Sequence, residues 1–266
     1  MEYHIIDAFT DKLFGGNPAG VCLPDSWPHQ NIMQSIAAEN NLSETAFLVK
    51  QDNGNYKLRW FTPTLEIDLC GHATLASAFV LFDEREKHAH EIIFDTASGE
   101  LIMTKNGDLL TLNFPATPAI ECPIYPSVVN AFGVEPSAVF KSIDFMVLVE
   151  NEETLCRLDP DYAMLANIKS EAGLAHDRFG IIVTAPGSGC DFVSRYFAPN
   201  AGVPEDPVTG RAHCTLTPFW SKRLGKKIME ARQLSNRGGV LWCEDCGERV
   251  KISGKAIRYL KGVIEL

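Results

Sequence analysis

The feature that most restricts this chain is that it repeats itself. Arg59-Trp60-Phe61-Thr62-Pro63 returns 136 positions later as Arg195-Tyr196-Phe197-Ala198-Pro199, and Cys70-Gly71 returns 139 positions later as Thr209-Gly210. The stretch from Gly99-Glu100-Leu101-Ile102 to Leu110-Thr111-Leu112 returns 140 positions later as Gly239-Val240-Leu241-Trp242 to Val250-Lys251-Ile252. A spacing that drifts so little over three separate elements points to an internal duplication, so the chain is expected to fold as two copies of one unit. The 266 residues leave about 130 for each copy. Pro115, Pro118, Pro123 and Pro126 break regular structure between them, which predicts halves at 1–118 and 119–266, with the last strand free to pair back onto the first half.

The elements of one copy follow from periodicity and turn chemistry. Residues 4–9 read as a buried strand, and Gly15-Gly16-Asn17-Pro18-Ala19-Gly20 as a loop, with extended structure resuming at Val21. Ser26 is placed to cap a helix with Pro28 in its first turn, ending near Asn40-Asn41. Ala46–Val49 and Tyr56–Pro63 read as a strand pair around the turn Asp52-Asn53-Gly54-Asn55. A helix from Gly71 to about Asp83 is apolar nearly all round, so other structure must wrap it. Residues 91–96, 99–105 and 109–114 read as three strands, with Asn106-Gly107 turning the last hairpin. Each half is then a mostly antiparallel sheet wound around one helix, an α+β fold.

Both copies open that helix on a glycine turn, at Asp68-Leu69-Cys70-Gly71-His72-Ala73 and at Asp206-Pro207-Val208-Thr209-Gly210-Arg211-Ala212. A helix start presents free backbone N–H groups and the positive end of the helix dipole, which suits a carboxylate or phosphate. Two such ends suggest a small acidic metabolite held in one cleft, with residues 71–73 and 210–212 around it. Glu44, between Ser43 and Thr45, is the candidate proton carrier, because apolar walls disfavour the charged form of a carboxylate and suit it to acid–base work near neutral pH. Its alternative role is a solvated cap on the preceding helix. His72 could donate to a substrate carboxylate or shuttle a proton. Asp206 could accept a hydrogen bond from substrate or fix its own loop. Cys70 is expected to be acidic, as thiols at helix starts are, and this opens an amino-acid racemase or epimerase reading. The copy of Cys70 is Thr209, however, and a hydroxyl is too weak an acid for the partner role. A non-catalytic metabolite-binding protein on the same scaffold is the third reading.

Bulk properties exclude several classes. A formal net charge of −10 argues against nucleic-acid binding. No stretch approaches the roughly 18 uncharged apolar residues of a membrane span, and the N-terminus does not read as a signal peptide. The eight cysteines form no disulfide framework, so a cytoplasmic protein with reduced thiols is expected. Cys243-Glu244-Asp245-Cys246 is a lone Cys-x-x-Cys pair on a hairpin and falls short of the four ligands zinc needs, so no metal is expected. The Gly15–Gly20 stretch lacks the spacing and following helix of a dinucleotide fingerprint.

Gly15-Gly16-Asn17-Pro18-Ala19-Gly20-Val21, Asn41-Leu42-Ser43-Glu44-Thr45-Ala46-Phe47, Cys70-Gly71-His72-Ala73-Thr74 and Gly202-Val203-Pro204-Glu205-Asp206-Pro207-Val208-Thr209-Gly210, in that order, resemble the PhzF-like family of phenazine-biosynthesis isomerases. The resemblance implies the diaminopimelate-epimerase fold, with two pseudo-symmetric halves, each a sheet rolled around a central helix. It implies a homodimeric isomerase without metal or organic cofactor. In it Glu44 moves a proton within a carboxylated substrate, while Ser43, Gly71, His72, Asp206 and Gly210 contact that substrate. Arg211 stands where relatives commonly carry a small hydroxyl residue. An arginine there adds a bidentate carboxylate binder and fills space, which implies a substrate other than the phenazine precursor.

Overall fold

The structure, a computed structural model, describes residues 1–167 and 179–266. The chain divides into two compact units: unit 1 is Met1–Asn113 with Lys251–Leu266, and unit 2 is Phe114–Val250. Unit 1 contains β1 (Glu2–Ala8), β2 (Asn17–Leu23), α1 (Gln30–Asn40), β3 (Glu44–Lys50), β4 (Tyr56–Phe61), β5 (Glu66–Ile67), α2 (Gly71–Glu84), β6 (Glu91–Thr96), β7 (Gly99–Asn106) and most of β8 (Leu109–Pro115). Unit 2 follows with β9 (Ile120–Cys122), α3 (Pro126–Phe132), β10 (Ala138–Lys141), β11 (Phe145–Leu148), α4 (Glu152–Cys156), α5 (Tyr162–Asn167), β12 (Ile181–Pro186), β13 (Phe192–Ala198), β14 (Val203–Asp206), α6 (Gly210–Leu224), β15 (Ile228–Gln233) and β16 (Gly239–Asp245). The chain re-enters unit 1 along β17 (Arg249–Gly254), and β18 (Ala256–Val263) pairs antiparallel with β1.

The two units repeat one pairing scheme. In unit 1, β2 runs parallel to β3, β3 antiparallel to β4, β4 antiparallel to β5 and parallel to β6, and β6 antiparallel to β7. In unit 2, β11, β12, β13, β14, β15 and β16 pair in the same succession of directions. The match reaches side chains. Arg59 of β4 holds Glu66 of β5 through Nε and Nη2 at 2.6 and 2.7 Å, and Arg195 of β13 holds Glu205 of β14 through the same atoms at 2.7 and 2.9 Å. Each guanidinium lies over the phenylalanine two residues on, 5.2 Å from Phe61 and 4.9 Å from Phe197.

The central helices are where their composition puts them. α2 packs against β1, β2, β3 and β18, and its side chains from His72 to Phe82 are buried except Phe79. In α6, Trp220 stacks on Phe192 and donates its Nε1–H to Thr184 Oγ1 at 2.9 Å. Pro218 inside α6 cannot bond back to the Cys214 carbonyl, and the Thr117 N–H occupies that carbonyl instead at 3.0 Å. Among the described residues no helix is long and apolar enough to cross a membrane.

Two expected elements are displaced. α1 starts at Gln30 with His29 as its cap, whose ring nitrogen accepts from the Asn31 N–H, so Ser26 and Pro28 stand before the helix. Asn17-Pro18-Ala19-Gly20 is strand, paired residue for residue with Ala8-Asp7-Ile6-Ile5. Turn-type residues mislead here because Pro18 precedes the first β2–β3 partner pair, Ala19 with Glu44, so its missing N–H costs no bond on that side.

Candidate functional site

In unit 1, β3 starts at Glu44 and α2 starts at Gly71, and these two starts meet. Glu44 Oε2 lies 3.1 Å from His72 Nε2, with the glutamate side chain 16% exposed and the imidazole 7%. The contact falls within ion-pair distance but off the hydrogen-bonding direction of the ring N–H. On the other side of the ring, Nδ1 is 3.3 Å from Asn17 Nδ2 and 3.5 Å from Cys70 Sγ. Glu44 is thus no helix cap; α1 ends in a left-handed turn at Asn41. Ser43 is half-buried just before it, and Ala73 is buried in the first turn of α2. Cys70 is the N-cap of α2 but makes no side-chain capping bond.

The charges in this cluster correct one expectation. Burial pushes the Cys70 thiol up to about 11 and the Glu44 carboxylate adds to this, outweighing the help from His72 and from the Ala73 N–H. Cys70 therefore stays a neutral thiol at neutral pH, because desolvation exceeds anything the helix end supplies. For His72, burial works against a charged ring, yet its acidic neighbours hold it well above the ordinary histidine range. The Cys70 sulfur is the first of these neighbours and the Glu44 carboxylate the second.

Unit 2 carries a rebuilt copy. Phe47 pairs with Arg59 as Val183 pairs with Arg195, so the residue three before each strand partner is Glu44 in one unit and Gly180 in the other. His72 corresponds to Arg211 and Cys70 to Thr209. Arg211 is not an idle carboxylate binder: its Nη2 donates at 2.5 Å to Asp144 Oδ1. Asp144 is buried and also accepts from the Gly180 N–H at 2.8 Å and from the Tyr196 hydroxyl at 3.3 Å. Burial raises Asp144, against the pull of Arg211 and these donors. Asp206, at the end of β14, accepts from the Thr209 hydroxyl, and its backbone carbonyl accepts from Gln233 Nε2 at 2.8 Å. Gln233 Oε1 receives the Thr209 N–H at 2.9 Å, so Asp206 does fix its own loop. Gly210 and Ala212 are buried in the first turn of α6.

Sequence reasoning passed over Asn17, Asp144, Tyr196 and Gly180. Gly180 was within reach, because the 136-residue offset aligns it with Glu44. Asp144 carried no signal, being 67 positions from Arg211.

Two groups of ligand-type atoms gather within 4.8 Å among the described residues: Glu44 with Cys70 and His72, and Glu2 with His4 and Glu84. In the first, Cys70 faces Nδ1 and Glu44 faces Nε2, which suits proton traffic through the ring better than three donors on one point. In the second, Lys261 already bridges Glu2 and Glu84 at 3.1 and 2.7 Å. Cys243 is buried in β16 and Cys246 is exposed in the turn after it, and neither joins such a group among the described residues.

A sheet rolled around a helix and built twice defines the diaminopimelate-epimerase-like class. A hydroxyproline epimerase from Agrobacterium vitis, solved with bound trans-4-hydroxy-L-proline, shares this fold at a TM-score of 0.62 and 10% identity, covering 98% of this chain and 91% of its own. The phenazine biosynthesis-like protein family, PhzC-PhzF, matches residues 6–262, and the chain belongs to it. It is similar to an uncharacterized isomerase of Pseudomonas aeruginosa, 47% identical over 98% of this chain and 97% of that protein. The crystal structure of a PhzF-family phenazine biosynthesis protein from Enterococcus faecalis superposes at a TM-score of 0.94 with 44% identity, covering 100% of this chain and 99% of that one.

Proposed function

We propose that this protein is an isomerase that moves a proton within a small carboxylated metabolite, with Glu44 as its acid–base group. The observation that carries the reading is the Glu44–His72 pair at 3.1 Å: a carboxylate partly open to solvent, backed by a buried imidazole. The name of the Pseudomonas aeruginosa relative and the small carboxylate bound by the hydroxyproline epimerase support the same class of chemistry.

The step balances within one molecule. Glu44 takes a proton as a C–H bond breaks, the electron pair spreads into the conjugated acid, and Glu44 returns the proton to a second carbon. Nothing is oxidised or reduced. His72 faces the carboxylate throughout and offsets the change in its charge. The N–H groups of Gly71, His72 and Ala73, in a first turn whose N-cap makes no side-chain bond, hold the substrate carboxylate with the help of Ser43. In unit 2, Asp206, Gly210, Arg211 and Ala212 stand at the matching helix start and are the candidate anion contacts of that copy.

The test is deuterium incorporation from D2O into a panel of carboxylated metabolites, run on the full chain and on Glu44→Gln. Removing a general acid–base group lowers rate by about 10²-fold or more, so incorporation should fall that far while ligand binding persists. Equal rates in both proteins would remove Glu44 from the mechanism.

A further inference from the structure

Asn17 opens β2 and takes no part in the proton transfer itself. Its side chain is nevertheless fully buried against the face of His72 that Glu44 does not reach. We propose that Asn17 is a positioning residue: its amide beside Nδ1 keeps the His72 ring turned with Nε2 toward Glu44 and, by flipping, meets the ring in both protonation states. The inference rests on the acid–base role proposed above for Glu44 and His72.

The chemistry singles out an amide. With an ion-pair contact at Nε2, the buried imidazole still needs a hydrogen-bond partner at Nδ1. When the ring is neutral with its proton on Nε2, Nδ1 is an acceptor, and the Asn17 NH2, 3.3 Å away, can donate to it. When the ring is protonated, Nδ1–H is a donor, and the same amide turned by half a rotation offers its oxygen. A carboxylate at this position would serve only the cation and an apolar side chain neither form. Cys70, 3.5 Å from Nδ1, is a weak partner, since a thiol both donates and accepts poorly. The titratable groups that face the ring are Glu44 from β3 and Cys70 from the turn before α2; Asn17, from β2, is uncharged.

The backbone leading to Asn17 is built to deliver it. Phe9, Phe14 and Gly16 have φ of 63°, 69° and 60°. A Cβ at Gly16 would lie 2.1 Å from the Ala8 carbonyl oxygen, so only glycine fits there. Asp7 Oδ2 accepts the Phe14 N–H at 2.9 Å and ties the excursion down. Left-handed backbone at two phenylalanines persists only where its surroundings over-determine it, and the product of this loop is Asn17 opposite Ala8 at the first position of β2.

The ring nitrogens report the role directly. Long-range 1H–15N spectra of full-length protein carrying 15N-histidine, from pH 5 to 9, give the tautomer and titration of His72, assigned by the signal missing in His72→Gln. The neutral ring of the parent should carry its proton on Nε2. Asn17→Asp should hold the ring protonated about one pH unit or more further into alkali. In the deuterium-exchange assay the alkaline limb of its rate profile should move by the same amount. Asn17→Leu should shift the Nδ1 resonance to that of an unbonded nitrogen and cut exchange about tenfold or more. A His72 whose tautomer and titration are the same in the parent and both variants overturns the proposal. So does a parent ring with its neutral proton on Nδ1, a measurement that stands if a variant fails to fold. Loss of exchange in Glu44→Gln tests the acid role and not this one, so each can fail alone.

Discussion

Gly180→Ala tests whether the second copy of the site is closed to an acid. Gly180 occupies the position of Glu44 in unit 2, and a Cβ built on it would lie 1.9 Å from Tyr196 Oη and 2.0 Å from its Cζ. The ring cannot yield cheaply. Tyr196 is buried, it sits in the β12–β13 ladder opposite Ile182, and its hydroxyl donates to Asp144. Overpacking of this kind costs about 1–3 kcal/mol, and displacing a hydrogen bond to a carboxylate adds about 1.5–3 kcal/mol. Destabilisation of about 2.5–6 kcal/mol follows, and at about 2–4 °C per kcal/mol for chains of this order the melting temperature should fall by about 5–24 °C. Differential scanning calorimetry of the variant against the parent reads this, taking the first transition if the two units melt separately. A shift under about 2 °C would mean that Tyr196 swings aside freely. The claim that this copy has no room for a side chain would then be wrong.

Two further expectations concern single groups. Because Cys70 is a neutral thiol, Cys70→Ser should keep deuterium exchange within about tenfold of the parent, whereas loss of a true acid–base group costs about 10²-fold or more; a loss on that scale would revive the thiol-based racemase. His213 is fully buried with Nδ1 on the Thr209 carbonyl at 2.8 Å, and burial holds it down to about 4. The unfolded chain takes up this proton near pH 6.5 and the folded chain does not until near pH 4. Stability should therefore fall as pH drops through that window, by about 3 kcal/mol in all at the lower end. His72 has the opposite sign: its raised affinity for a proton stabilises the fold below about pH 6.5, and that contribution is lost as pH rises through its folded-state value. Urea unfolding midpoints from pH 7 to 4 should drop less steeply in His213→Gln than in the parent, and parallel curves would exclude His213 as a source of acid sensitivity.

What could be read from the sequence was what neighbouring residues decide. The hairpin between β7 and β8 was legible to within one residue: Asn106 pairs with Leu109, so the turn is Gly107-Asp108 rather than Asn106-Gly107, and Gly107 supplies its positive φ of 59°. The duplication was legible because Arg59 and Arg195 each carry their phenylalanine two residues on and their glutamate on the next short strand. What could not be read was set by partners distant in sequence. Pro18 looks like a loop residue until β1 lies beside it. The position of Cys70 at a helix start argues for an acidic thiol, and only the burial supplied by the surrounding sheet reverses that sign. Arg211 looks like an unengaged cation until Asp144 arrives from the start of β11.

The same distinction explains how one duplicated unit yields two unlike helix starts. The frame of each copy depends on local features that both copies keep, the Arg–Glu clamp and the glycine that opens each central helix. The functional positions depend on the strand that faces them, and there the copies differ. Glu44 faces a histidine that Asn17 supports from β2, while Gly180 lies against a tyrosine and gives its N–H to Asp144. Replacing Gly180 by glutamate would thus require a different residue at 196 and a different anchor for Arg211. Three coupled changes separate the second copy from the first, and a single substitution toward symmetry should lower stability before it could add a second proton carrier.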